Sequence, residues 1–260
     1  MTPDQITLQL QDARKRAVQG DLAGALSLCE VVVRSNRDHQ PAFQMYRRLY
    51  NAVHGRDVPH AAVFDFIYAS NAWHIGSGFG SLPQATETYR PFLQDFLARH
   101  AIRSVVDAGC GDWQSSRLID WSGIDYLGID VSSIVLKNIV GHAAPNIRFA
   151  EGDIRTLEQP GADLLIMKDV LQHWSNADIQ ALIPKFARYR YCLITNGTSA
   201  EVQLNLNKDI PAGHWRPVDL ALPPFSVAGE YVHAYDFTVN LGNGQVSQEH
   251  KRVFLVRGQV

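Results

Sequence analysis

The sequence predicts an α/β fold preceded by a helical segment, and three observations carry that reading. Short β-rich runs at 104–106, 126–129, 147–150, 164–167 and 191–195 alternate with helical stretches such as 133–140 and 176–188. Strands alternating with helices imply right-handed crossovers and a parallel sheet covered on both faces. Further runs at 231–239 and 252–256 are joined through Leu241-Gly242-Asn243-Gly244, the pattern of an antiparallel hairpin about an Asn-Gly turn. Residues 1–55, in contrast, repeat apolar side chains at helical spacing.

Taken in order, Ile6 to Ala17 and Ala25 to Val33 read as two helices around Gly20-Asp21, and Pro41-Ala42 opens a third. This pattern resembles one tetratricopeptide-type hairpin. Such hairpins stack to bury their apolar faces, so a single copy is expected to dock on the neighbouring domain, a second copy of the chain or a protein partner. A plain helical cap is the competing reading. Gly55, Asp57 and Pro59 mark a junction, giving domains 1–55 and 56–260. Within the second, 56–100 supplies helices, including 61–68, and the loop Trp73-His74-Ile75-Gly76-Ser77-Gly78-Phe79-Gly80-Ser81. That loop reads either as a lid with aromatic flanks or as a flexible linker.

Composition narrows the function. The chain has 260 residues, Lys+Arg 24 against Asp+Glu 26, and a net charge of -2, so it has no basic excess for a polyphosphate backbone. Nucleic acid is not an expected partner. The three cysteines, Cys29, Cys110 and Cys192, form no paired motif, which suits a reducing cytoplasm. The histidines are dispersed without ligand spacing, so no metal is expected. The first residues lack the order of a signal peptide, and no apolar run is long enough to span a membrane.

The chemistry concentrates in Ser104-Val105-Val106-Asp107-Ala108-Gly109-Cys110-Gly111-Asp112-Trp113, where a buried strand ends in an acid and a glycine-rich turn enters a helix. Glycines there let the backbone approach a ligand, and a helix N-terminus offers free N–H groups. The second strand ends in Asp130, placed for the hydroxyls of a ribose, and the third in Asp153, placed for an exocyclic adenine amine. A turn carboxylate capping the next segment is the alternative for Asp153.

These residues closely resemble the class I S-adenosylmethionine-dependent methyltransferases, over about residues 70–260. The resemblance implies a Rossmann-like seven-stranded sheet of order 3-2-1-4-5-7-6 with strand 7 antiparallel, and S-adenosylmethionine as cofactor. By position it puts Asp107, Gly109, Cys110 and Gly111 on the methionine side. Asp130 and Val131 fall at the ribose, Asp153 and Ile154 at the adenine, and Lys168 at the end of strand four. Trp113 stands where many members carry a third glycine, beside the cofactor or the acceptor pocket. The segment Lys168-Asp169-Val170-Leu171-Gln172-His173-Trp174 lacks the Asn/Asp-Pro-Pro-aromatic motif of nucleobase amine methylation and looks like small-molecule enzymes. With Gly76-Ser77-Gly78 and Gly111-Asp112-Trp113-Gln114 it is similar to a bacterial subgroup associated with surface-polysaccharide and other small-molecule modification.

Transfer to an alcohol needs a base, and His173 with Asp169 are the candidate catalytic residues. The competing reading has His173 packing the turn and Asp169 holding the loop. Arg90 reads as a partner for the methionine carboxylate or as a surface helix arginine. Trp73, Gln172, Trp174, Asp209, His214 and Arg216 are the candidate acceptor contacts, with Arg216 suited to an anion or to knitting its own loop. The expected function is methyl transfer to O or N of a small-molecule or sugar-like acceptor. A nicotinamide-dependent oxidoreductase of the same fold expects a third glycine near Trp113. A non-catalytic interaction protein would use the helical appendage instead.

Overall fold

The computed structural model describes residues 1–36, 38–158, 161–198, 205–242 and 245–258, which divide into two compact units, Met1–His74 and Ile75–Val260. The first unit therefore runs beyond residue 55 and includes the helix expected at 61–68. It contains α1 (Pro3–Val18), α2 (Leu22–Ser35), α3 (Gln40–His54) and α4 (His60–Ala69). Thr2 starts α1 with a reciprocal cap: its hydroxyl accepts from Gln5 N–H, and its own N–H donates to Gln5 Oε1. Ile6, Leu10 and Ala13 of α1 and Ala25, Leu26, Cys29 and Val32 of α2 form the buried stripes that the periodicity indicates.

The second unit is built on one seven-stranded sheet. Its strands are β1 (Ser104–Ala108), β2 (Asp125–Asp130), β3 (Ile147–Glu151), β4 (Ala162–Lys168), β5 (Tyr189–Gly197), β6 (Glu230–Gly242) and β7 (Gln245–Arg257). The order is β3-β2-β1-β4-β5-β7-β6. The first five run parallel, and β7 lies antiparallel between β5 and β6. Central strands bury both faces: Leu164, Leu165 and Met167 of β4 and Cys192, Leu193 and Ile194 of β5 are fully enclosed. Asn243-Gly244, the expected hairpin turn, lies outside the described residues.

Among the described residues the remaining α-helices are α5 (Tyr89–Arg99), α6 (Ser133–Ile139) and α7 (Asn176–Leu182). Two local expectations change. The helix read over 176–188 stops at Leu182 and continues as a 3-10 turn, Ile183–Arg188, because Pro184 has no N–H to donate back and fits only the start of a new helical segment. No α-helix follows the glycine turn after β1; a single 3-10 turn, Ser116–Leu118, takes its place. The intervening Asp112-Trp113-Gln114-Ser115 has no apolar periodicity, and Trp113 adopts φ 58, which ends a right-handed helix. Among the described residues no helix is long and apolar enough to cross a membrane.

Candidate active site

Parallel strands bring their C-terminal ends to one edge, where β1, β2, β3 and β4 end in Asp107-Ala108, Asp130, Glu151 and Lys168. Gly109 has φ +77, and a Cβ on it would stand 2.4 Å from Val170 Cγ2. Only glycine therefore lets the turn after β1 lie against the segment after β4. Gly111 N–H donates to Asp130 Oδ2 (3.0 Å) and Ser132 N–H to Oδ1 (2.9 Å), fixing the carboxylate between the two loops. Burial raises the Asp130 carboxyl to about 6 against the pull of those N–H groups.

Asp107 is enclosed and faces sideways. Its Oδ2 accepts from Tyr126 Oη (2.6 Å) and Ser116 Oγ (2.9 Å), while Trp113 Nε1 donates to Tyr126 Oη (2.9 Å). Burial raises its carboxyl, and those two hydroxyls oppose the rise. Trp113 is thus part of the hydrophobic layer, edge-on to Phe149 with ring centres 5.1 Å apart, in a left-handed conformation that glycine would adopt freely. Cys110 is a buried thiol whose pKa burial pushes far up, so it stays neutral.

The glycine-rich segment 76–81 forms a roof. Ser77 N–H donates to Asp112 Oδ2 (3.0 Å), and Ser77 Oγ accepts from Asp112 N–H (2.8 Å). At its other end Gly80 O accepts from Lys168 Nζ (2.7 Å). The segment therefore bridges the ends of β1 and β4. Gly76, at φ +44, would place a Cβ 2.0 Å from Asp112 Oδ2. Gly76→Ala is expected to lift the roof and weaken S-adenosylhomocysteine binding about tenfold, for ~1.4 kcal/mol of strain, read by calorimetry. Unchanged affinity would make the roof incidental to the site.

Asp169, at φ 60, sits under this roof with Lys168 Nζ on Oδ2 and Lys251 Nζ on Oδ1, both at 2.6 Å. Burial would raise its carboxyl, but the two ammoniums override that and hold it well below the ordinary range. A carboxylate so held is a poor base. His173 Nδ1 lies 2.9 Å from the carbonyl of His214, which can only accept, so Nδ1 carries the proton. Burial lowers His173 to about 4, leaving it neutral at pH 7 and a weak proton sink.

Several other sequence candidates are engaged elsewhere. Asp153 is clamped by Arg155, Nε to Oδ1 at 2.9 Å, and the same guanidinium reaches Asp178; Arg155 N–H also donates to Oδ1. This is the turn-capping arrangement, and an adenine amine would compete with Arg155 for the carboxylate. Ile154 is buried beside it, and Val131 is half-buried. Arg90 donates to Pro83 O (2.6 Å) and Thr86 Oγ1 (3.0 Å), bracing the turn before α5. Arg216, 2% exposed, donates to Leu171 O, Trp174 O and Asn176 Oδ1, which makes it a staple of the segment after β4. Gln172 is buried with Oε1 on Gly197 N–H, and Trp174 is buried with Arg155 over its ring. Asp209 caps Asn176 N–H at the start of α7 (2.7 Å), and the exposed His214 offers its carbonyl to His173. Trp73 falls in the first unit, against Phe64 and Tyr68. The structure instead adds Lys251, Tyr89, Tyr235 and Trp215 to this edge. Lys251 had a legible signal, as a cation in phase with the buried Val253 and Leu255 of β7.

Comparison with known proteins agrees with this geometry. Residues 105–190 match the family described as methyltransferase domain. The N-methyltransferase NodS from Bradyrhizobium japonicum, solved with S-adenosyl-L-homocysteine, is similar at a TM-score of 0.52 and 14% identity, over 69% of this chain and 89% of that one. TehB from Haemophilus influenzae gives 0.50 at 16% identity, over 69% and 67%. A structure on the conversion of a disulfide bond into a thioacetal group during echinomycin biosynthesis gives 0.50 at 18% identity, over 76% and 92%. Likeness at such identities establishes the fold. The curated proteins contain no match. Sheet order, glycine turn and the domain match over residues 105–190 together resemble those of S-adenosylmethionine-dependent methyltransferases. The donor set fits that cofactor: Asp130 would accept from the ribose, and Asp112 Oδ1, enclosed without a hydrogen-bond partner, would accept from the methionine ammonium.

Proposed function

We propose that the protein transfers the methyl group of S-adenosylmethionine to an oxygen or nitrogen of a small-molecule or sugar-like acceptor by in-line displacement. Bound there, the cofactor supplies an already activated methyl carbon, so the protein's task is mainly positioning. The observation that carries the reading is the 76–81 segment, tied to Asp112 on one side and Lys168 on the other, so that it spans the ends of β1 and β4. A cover tied at both ends suits a small acceptor and the exclusion of water from a reacting centre. Gly109, Gly111 and Asp112 orient the methionine end, Asp130 the ribose, and Ile154 packs at the adenine. Lys168 and Asp169 hold roof and floor together. His173 is the nearest group able to take a proton, and its low basicity favours an acceptor that needs little help to lose one.

The net charge of -2 and the unpaired, buried cysteines support a cytoplasmic small-molecule enzyme over one acting on nucleic acid. The α1–α2 hairpin, tetratricopeptide-like in pattern, leaves Leu8, Val18 and Val31 exposed, which supports docking to a partner or a second copy. Radiolabelled S-adenosylmethionine incubated with the protein and a bacterial extract is expected to label the fraction below about 1 kDa. Label confined to acid-precipitable protein or RNA would overturn the small-acceptor reading.

A further inference from the structure

We propose that the acceptor binds as an anion, its carboxylate or phosphate group held by Lys251 and the Tyr235 hydroxyl beside Gly197. The inference rests on the methyltransferase reading above and deepens it. Asp169 faces two ammoniums, Lys168 and Lys251, and so neutralises only one of them. The next carboxylate, Asp107, is engaged by Tyr126 and Ser116 on the β1 side. Lys251 is 3% exposed, and among the described residues its ammonium makes one hydrogen bond, to Asp169, with Phe237 flanking it at 6.0 Å. A buried ammonium with N–H donors to spare is unfavourable until an acceptor meets it.

The hydroxyls nearby point to the same ligand. Tyr235 stands directly opposite Lys251 across β6 and β7, and hence on the same face. Its Oη is enclosed without a hydrogen-bond partner. Tyr89 Oη and Thr195 Oγ1 are neighbours, likewise enclosed without a hydrogen bond of good geometry. Burial and the Asp169 charge keep the Tyr235 hydroxyl protonated, so it is a donor. Because residue 197 is glycine, Gln172, Trp215 and Lys251 can all close on the end of β5. A Cβ there would lie 3.2 Å from Gln172 Oε1, 3.3 Å from Trp215 Cζ2 and 3.4 Å from Lys251 Nζ. Trp215, 45% exposed, is the outermost of the three.

Unfilled donors around an excess ammonium select an oxyanion over a cation or a neutral group. The methionine carboxylate of the cofactor is the competing occupant. In the sheet β7 lies three strands from β1, and the S-adenosylhomocysteine affinity of Lys251→Met separates the two occupants.

Calorimetry on the full chain saturated with S-adenosylhomocysteine tests this, with benzoate and phenyl phosphate as anionic probes and benzamide as the neutral one. At least one anion is expected to bind tenfold or more tightly than benzamide, and which one separates carboxylate from phosphate. Lys251→Met should abolish that preference and Tyr235→Phe should reduce it severalfold. Tyr235→Phe removes an oxygen that has no partner, so it carries the test if Lys251→Met fails to fold. Equal binding of benzamide, absence of anion binding at 10 mM, or a preference that survives both substitutions overturns the proposal. A fivefold loss of S-adenosylhomocysteine affinity in Lys251→Met would also overturn it, by assigning the ammonium to the cofactor's carboxylate. Wild-type protein that does not bind S-adenosylhomocysteine would instead fail the methyltransferase reading itself.

Discussion

Asp169→Ala is expected to destabilise the protein by about 3–5 kcal/mol, the usual loss when one partner of a buried ion pair is removed. Two ammoniums converge on this carboxylate, and its side chain is only 12% exposed. Alanine would leave Lys168 and Lys251 facing one another with no counter-charge. Burial opposes ionisation of Asp169 and the lysines favour it; the lysines prevail, so its folded-state pKa is depressed. The sign follows: its contribution is present in full above the ordinary carboxylate range near 4 and is lost only in strong acid. Urea unfolding at pH 7 measures the loss, and Asp169→Asn should fall between wild type and alanine. An alanine variant as stable as wild type would mean that the two lysines find solvent. The same arrangement makes Asp169 a positioning residue, because a carboxylate pinned by two cations does not take up the acceptor's proton.

Cofactor affinity should hinge on Asp130. Burial holds its carboxyl at about 6, above the free-chain range, so the folded protein binds that proton more tightly than the unfolded chain does. Its contribution to stability is therefore full below about pH 4 and is lost as pH rises through 6. Ribose hydroxyls donate to the ionised form and work in the opposite direction. S-adenosylhomocysteine is thus expected to bind about tenfold more weakly at pH 5 than at pH 7.5, one pH unit below the carboxyl's midpoint being worth ~1.4 kcal/mol. Binding at pH 6 should release protons, visible as a buffer-dependent heat. Asp130→Ala is expected to weaken binding about 100-fold at pH 7.5, for ~2.7 kcal/mol of charge-assisted hydrogen bonding, and to flatten the pH profile. A variant that keeps the wild-type pH dependence would move that titration to another group, with Asp107, also raised by burial, the first to consider.

The five parallel strands were legible as short β-rich runs, the first three closing on or beside an acid, and the antiparallel pair as two runs about an Asn-Gly turn. The glycine turn was legible for a related reason, since Gly109 answers a steric demand that no other residue meets. Polar side chains near that edge were harder. Whether Arg216, Gln172 or Arg90 faces a ligand or a backbone carbonyl depends on where distant loops end, and each proved to satisfy carbonyls or N–H groups of its own surroundings. Arg155, two residues from Asp153, offered a local hint of its clamp. Lys251 was missed because it sits on the last strand, 82 residues from the carboxylate it meets.

That position has a consequence for how the molecule is completed. Of the seven strands, β7 is made last, yet it lies inside the sheet, between β5 and β6. Until it inserts, β5 remains an open edge and Asp169 lacks one of its two cations. A nascent chain can therefore assemble β1 to β4 and their loops early while the β5 edge stays unfinished. The pairing of Lys251 with Asp169 should therefore arrive in one late step, with the insertion of β7.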